Sequence, residues 1–312
     1  ISNCETYEHQ LKEIDVIVDQ QKRKEMVLDE ISLAVKQIPE FEGGSVGPDE
    51  ELVDIVTNLV EVPHGVCGTF NEKFLRLPPE VLITSMREHQ KYFSIVDQNG
   101  GLLPGFIAVN NTRVKDVALT RKGHQRVLRA RLEDALFFYE ADREQRLEDR
   151  VEKLGGIIFQ AKLGTMLEKK DRLVKLVRIL AEKVDENLLE DCVRSAQLCK
   201  ADLLSDMVGE FPSLQGIMGA AYAGGDGEKE TVAVAIREHY MPKRAGTSLP
   251  ESDVGALLGL ADRFDTLAGC FGIGQKPTGT ADPFGLRRIV LGILHIIQDK
   301  RYSLSFSEIV SK

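Results

Sequence analysis

The sequence predicts an α+β fold, with a mixed α/β module over residues 1–120 and an all-helical domain over residues 121–312. Two patterns and a length carry this reading. Aromatic and β-branched runs around a hairpin dipeptide are confined to the first part. Apolar residues at helical spacing fill the second. A chain of 312 residues is long enough for about two domains at roughly 150 residues each.

The elements follow in order. Leu11, Ile14 and Val18, then Met26, Val27, Ile31, Leu33, Val35 and Ile38, predict one helical phrase over residues 1–38. Gly43, Gly44, Gly47 and Pro48 make a loop, and Asp49-Glu50-Glu51 opens a short helix with acids at its positive end, closed by Pro63. Tyr92–Val96 and Phe106–Val109 read as strands joined through Asn99-Gly100, with Pro104 demoting only the start of the second. From about residue 125 the pattern is helical: Val127, Leu128, Leu132, Ala135, Leu136 and Tyr139, then Leu147, Val151 and Leu154, stopped by Gly155-Gly156. Thr165-Met-Leu-Glu168 is a capping box ahead of the next helix. Further helices are expected near 186–209, 229–240, 252–271 and 283–299.

Composition sets limits on function. Hydrophobic residues are 43% and charged residues 29%, which argues against disorder. No apolar stretch approaches the roughly 20 residues of a membrane span, so no membrane partner is expected. The ends, Ile1-Ser2-Asn3-Cys4-Glu5 and Phe306–Lys312, read as the interior of a longer chain with no signal peptide, and the expected location is the cytoplasm. Net charge is −9, yet Arg113, Lys115, Arg121, Lys122, Arg126, Arg129 and Arg131 face only Asp116 between residues 113 and 131, a local +6. That stretch is where a polyanion would touch, because phosphate neutralisation supplies most nucleic-acid affinity. Arg126 and Arg129 share a helix face. The alternative is pairing with Glu133, Asp134, Glu140 and Asp142.

The chemistry-bearing residues are sparse. Cys4, Cys67, Cys192, Cys199 and Cys270 form no C-x-x-C and read as reduced structural thiols. Gly272-Ile273-Gly274 lacks the spacing of a phosphate loop and reads as a helix end. No serine sits in a nucleophile elbow. His295, between Ile293 and Ile297, reads as a core histidine, and His239 as a cationic or capping residue at a helix end. Asp202, Glu238-His239 and Asp262 resemble the frame of an HD-class metal phosphohydrolase. The residue before Asp202 is Ala201, however, so the defining His-Asp pair is missing. Two carboxylates and one imidazole are a poor metal set. A helical wheel puts Asp262 outside the apolar stripe of its helix and Asp265 near its edge. The site is read as degenerate, with no metal and no catalytic residue.

Longer blocks carry a more specific likeness. They are Leu77–Phe93, Arg126–Tyr139, Phe159–Thr165, Lys200–Gly216 and Lys276–Arg288, in order along the chain. Together they resemble the β subunit of bacterial heterotetrameric glycyl-tRNA synthetase. The resemblance implies modules related to the larger subunit of the phenylalanyl enzyme, followed by an HD-like helical domain. It implies a catalytic site on a separate α subunit, where ATP and magnesium serve the complete enzyme, and an anticodon-binding domain beyond residue 312. The implied partners are that α subunit and tRNA-Gly, with no DNA. Under this reading Arg113, Lys115, Arg121, Lys122, Arg126 and Arg129 are the tRNA-binding candidates, with Gln90, Lys91 and Tyr92 as weaker ones, and Arg287 and Arg288 free to pair with acids. The competing readings are an active metal-dependent HD phosphohydrolase and a purely structural subunit-docking module.

Overall fold

A computed structural model describes residues 6–244, 246–305 and 309. The chain forms two compact units, Ile1–Tyr139 and Glu140–Lys312.

The first unit is built on a four-stranded antiparallel sheet in the order β1-β3-β4-β2, with β1 Ser45–Val46, β2 His64–Thr69, β3 Phe93–Val96 and β4 Leu102–Asn110. The expected hairpin is β3–β4, and its turn is closed by Asp97, whose Oδ1 accepts from Asn99 N and Gly101 N at 2.8 Å each. Gly100 supplies the left-handed φ of +82° that this turn demands. Helices α1 (Tyr7–Glu13), α2 (Gln20–Val35) and α3 (Glu50–Leu59) precede the hairpin. The single phrase expected over residues 1–38 is thus two helices, because Asp15 adopts φ +60° and Asp19 caps α2 by accepting from Gln21 N and Lys22 N. Asp49 caps α3 through Leu52 N at 2.9 Å. Val27, Ile31, Leu52 and Val56 from the helices meet Cys67, Phe93, Ile95 and Ile107 of the sheet in one core.

Helix α4 (Pro79–Thr84) runs into a π-helical turn that packs against β3, and α5 (Val117–Asp142) is joined to the sheet through side-chain bonds of its first turns. There Tyr92 stacks on Phe106 at 4.8 Å and its hydroxyl meets His124 Nδ1 at 2.8 Å. Arg121 Nε donates to Cys67 O at 2.6 Å, and Gln125 Nε2 to Thr69 O at 3.1 Å. These bonds tie the first turns of α5 to β2, so the break expected at residue 120 lies inside a helix whose larger part counts with the first unit.

The second unit is helical apart from a small hairpin of β5 (Ile158–Gln160) and β6 (Gly164–Thr165). Its helices are α6 (Met166–Val184), α7 (Leu189–Leu198), α8 (Asp206–Glu210), α9 (Ile217–Gly225), α10 (Glu230–Glu238), α11 (Asp253–Gly272) and α12 (Leu286–Lys300). The capping box at Thr165 and Glu168 is complete. Helix α11 is the axis of this unit, packed by α6, α7, α10 and α12. Its residues Val254–Ala261 are all buried. The helix expected over 186–209 is interrupted at Lys200, where α7 passes through a 3-10 turn at Ala201–Leu204 into α8. His295, expected in the core, is exposed: it follows Leu294 on the outer side of α12, while Ile293 and Ile296 carry the burial. Cys67, Cys192, Cys199 and Cys270 are buried free thiols, and Cys4 lies outside the described residues.

Close approach explains one glycine of β2. A Cβ on Gly65 would sit 2.5 Å from Glu30 O and 3.0 Å from Ala34 Cβ on α2. The Gly65→Ala chain is therefore expected to lose about 1–3 kcal/mol of stability. A urea unfolding midpoint equal to that of the unchanged chain refutes this packing account.

Candidate functional site

The chemistry of the second unit gathers around the Lys200 ammonium. Lys200 stands just past α7, His239 caps the C-terminus of α10, and Asp262 lies in the middle of α11. Lys200 Nζ is 2.9 Å from His239 Nε2, 2.8 Å from Asp262 Oδ2 and 3.1 Å from the Tyr240 hydroxyl. An ammonium has three protons to donate and nothing to accept with, so these partners saturate it. A second ammonium, Lys169 of α6, lies 2.7 Å from Asp262 Oδ1 and 2.9 Å from Asp265 Oδ2. Arg172 Nε completes the group at 2.5 Å from Asp265 Oδ1.

The electrostatics follow from burial and pairing. Burial works to discharge Lys200, but Asp262, Tyr240 and Cys199 together outweigh it and hold the ammonium above its ordinary value. Burial pushes the Asp262 carboxyl up, and Lys169, Lys200 and His239 together bring it well below 3.8. His239 is fully buried, and its desolvation, next to the Lys200 charge, lowers its pKa well below 6.5. Its Nδ1 lies 2.6 Å from Ile236 O, which can only accept, so Nδ1 carries the proton and the Nε2 lone pair faces Lys200. The expected cationic role at a helix end gives way to that of a neutral acceptor.

Asp202 does not join this group. Its Oδ2 accepts from Gly216 N at 2.6 Å and Gly219 N at 3.1 Å, the N-cap and third residue of α9, while Oδ1 is buried without a hydrogen-bond partner. Asp202 thus caps a helix from a distance. Burial raises its carboxyl to about 6, against the hydrogen bonds that favour the charged form. Glu238, next to His239, is likewise structural and accepts from Glu251 N and Ser252 N.

The residues of the HD-type frame therefore do not fit a metal ion. The point between His239 and Asp262 is filled by Lys200, and a divalent cation there would face two neighbouring ammonium groups. Among the described residues no set of three or more His, Cys, Asp or Glu is placed to hold a metal. A phosphohydrolase reading has no support in this geometry. Asp262 also departs from the wheel-based expectation: α11 is packed on nearly all sides, so the face opposite its apolar stripe meets lysines instead of water. Sequence reasoning missed Lys169, Lys200 and Tyr240. Leu198, Cys199 and Ala201 around Lys200 are apolar, but nothing local marks Lys200 as buried.

The six basic candidates are divided by the structure. Arg121 is half-buried and spent on Cys67 O, and Arg113 lies 3.6 Å from Asp15. Lys115, Lys122, Arg126 and Arg129 are exposed and make no hydrogen bond or ion pair to another described residue. Glu133 is held by Lys73 and Asp142 by Arg150, so these acids are not partners for the arginines before them. Lys122, Arg126 and Arg129 follow one another at helical spacing on the outward side of α5. Tyr92 is a core residue, Lys91 folds back onto Glu88 O at 2.9 Å, and Arg287 bonds Thr278 O. A larger cavity, about 1050 Å³ between α2 and residues 42–49, assembles no catalytic set.

Fold and site together define an α+β protein whose helical half carries a lysine-filled polar centre where a catalytic one would stand. The chain belongs to the glycyl-tRNA synthetase beta subunit family, whose sequence profile matches residues 1–312. It is 52% identical over 309 residues to the glycine--tRNA ligase beta subunit of Trichlorobacter lovleyi, covering 98% of this chain and 44% of that protein. The corresponding proteins of Citrifermentans bemidjiense and Syntrophotalea carbinolica are 53% identical over 305 residues and 47% identical over 312, covering 97% and 100% of this chain and 44% and 45% of those proteins. The chain spans less than half the length of the curated relatives it matches.

Two opposed proton linkages in the helical unit set a test. Below about pH 6.5 the unfolded chain protonates His239 while the folded chain refuses the proton, so acid destabilises. Between 3.8 and about 6 the folded chain holds a proton on Asp202 that the unfolded chain lacks, so acid stabilises. In the unchanged chain these offset between pH 4 and 6; Asp202→Asn keeps the cap and removes only the second. The variant should lose stability more steeply over that range, by up to about 1.4 kcal/mol per pH unit. Parallel stability profiles for the two chains would falsify the assignment.

Proposed function

We propose that this chain is the part of a glycine--tRNA ligase β subunit that positions tRNA and scaffolds the assembly, while amino-acid activation takes place on the α subunit with ATP and magnesium. The observation that carries the reading is the unpaired basic face of α5. Lys122, Arg126 and Arg129 stand exposed at helical spacing, Lys115 lies just before the helix, and the chain as a whole is strongly acidic. Exposed guanidinium groups without internal partners are suited to bidentate contacts with phosphates. Their role is to fix the register of an RNA backbone, which positions and does not read sequence. The family and the relatives' names support tRNA-Gly as the RNA and the α subunit as the protein partner. With activation placed on the α subunit, the chain alone is proposed to be inactive in aminoacylation.

A second reading draws on the same face. Leu119 and Phe137 are 68% and 67% exposed, and apolar side chains of that size in the open favour a protein partner. On this reading α5 docks another subunit and its basic residues rim the contact.

Charge reversal separates the two. Changing Lys122, Arg126 and Arg129 together to glutamate in the reconstituted enzyme should weaken tRNA-Gly binding. It should also flatten the salt dependence, by about 0.7–0.9 in log–log slope for each phosphate no longer neutralised. Assembly with the α subunit should be unaffected. Unchanged tRNA affinity together with failed assembly would leave docking as the role of this face. Arg121 is left in place, since its loss would act through the fold.

A further inference from the structure

We propose that Phe137 is a stacking platform for an unpaired base of the RNA whose backbone runs along Lys122, Arg126 and Arg129. The inference rests on the reading of that basic face as an RNA track, and it adds the kind of nucleotide the face receives.

The argument starts from the period of α5. At roughly 100° per residue, Lys122, Arg126, Arg129 and Phe137 fall within an arc of about 80° on one side of the helix. All four are exposed. Phe137 lies about 12 Å past Arg129 along the axis, at roughly 1.5 Å per residue. Two residues of the same side stand between them. Ala130 is small, and Glu133 has both oxygens on Lys73 Nζ, at 2.6 and 2.7 Å. Neither bulk nor an unpaired charge separates the cations from the ring.

Phe137 breaks the rule that fills the rest of its turn. Leu132, Ala135 and Leu136 are buried and pin the backbone, whereas the Phe137 ring is 67% exposed. Phe138 braces it edge-on, with 5.9 Å between ring centroids. A held, exposed ring at the end of a row of cations is what single-stranded nucleic acid meets on its binding surfaces. The cations hold phosphates and the π-face takes a base. In RNA that base comes from a loop, a bulge or an end, where bases are free to splay out. The charge pattern divides the two tasks. Past Arg131 every exposed charge of α5 is an acid, namely Glu133, Asp134 and Glu140. A phosphate is repelled there and a neutral base is not, so the phosphate track ends at Arg129 and a base reaches Phe137.

The experiment uses the reconstituted enzyme and tRNA-Gly, with Phe137→Ala, Phe137→Leu and Phe137→Trp. Phe137→Ala should weaken tRNA-Gly binding by about five- to 150-fold, the range for one stacked base. Phe137→Leu keeps apolar bulk without a π-face and should lose most of the same affinity. Phe137→Trp should bind at least as tightly as the unchanged enzyme. All three should melt and assemble with the α subunit as the unchanged enzyme does. Their salt dependence should keep its slope, because the ring neutralises no phosphate. Unchanged affinity in Phe137→Ala or Phe137→Leu overturns the stacking, and leaves the track intact if the charge-reversed enzyme still loses tRNA. Affinity lost on Phe137→Ala but kept on charge reversal supports the stacking and removes the track. A Phe137→Ala subunit that no longer joins the α subunit overturns the proposal, since the ring is then a protein contact.

Discussion

The helical unit depends on a charge it cannot leave unpaired. Asp262 sits in the middle of the most enclosed helix of the unit, where an isolated carboxylate is far more costly than at the surface. Two ammonium groups approach it from different elements, Lys169 from α6 and Lys200 from the end of α7, and each is itself buried. Removing one partner of such a group typically costs about 3–5 kcal/mol, because the other charge stays behind in an apolar interior. The arrangement therefore fixes where α6, α7 and α11 stand with respect to one another. His239 and Tyr240 add α10 by accepting from the same lysine. A polar cluster of this kind contributes little net stability compared with apolar packing of equal volume.

The same constraint accounts for what the unit does not do. An amine can serve as nucleophile or base only when a neighbour or burial makes it lose its proton. Here Asp262, Tyr240 and Cys199 together keep the proton on Lys200 against burial. An imidazole can shuttle protons only if it titrates near neutrality, and desolvation beside a lysine takes His239 far from that range. Asp202, the remaining acid of the frame, is committed to the start of α9. Each potential catalytic group is thus fixed in one protonation state or one partnership, and the reason can be named residue by residue.

Local signals were legible in the sequence wherever the physics was local. The Thr165 capping box, the Asn99-Gly100 hairpin and the acidic start of α3 each involve partners a few residues apart, and each is present. The misses share a different cause. Strand β2 has Gly65 where α2 comes too close for a side chain and Gly68 against the Phe106 ring, which erases the alternation that marks a strand. Helix α9 is rich in glycine and alanine, and its cap is Asp202, fourteen positions before Gly216. Lys200 reads as an ordinary surface lysine until His239 and Asp262, 39 and 62 positions away, are brought to it. The HD-like frame is visible as residue types, but the cation at its centre is not, because only the fold brings Lys200 between His239 and Asp262.

The basic face of α5 shows the converse, a feature that structure thins instead of assembling. Seven basic residues between 113 and 131 read as one patch, yet their destinations differ. Arg121 has been turned inward to hold β2, at a spacing of one helical turn from Gln125, which holds the next stretch of the same strand. Being on the inner side of the helix, Arg121 helps fix the orientation of the outer side. The exposed members, Lys122, Arg126 and Arg129, then present their charge on a rigid element anchored by Arg121, His124 and Gln125. A charge on an anchored helix loses less entropy on meeting a phosphate than the same charge on a loop. The division of one basic run into an anchoring residue and an exposed set follows from the 3.6-residue period of the helix that carries them.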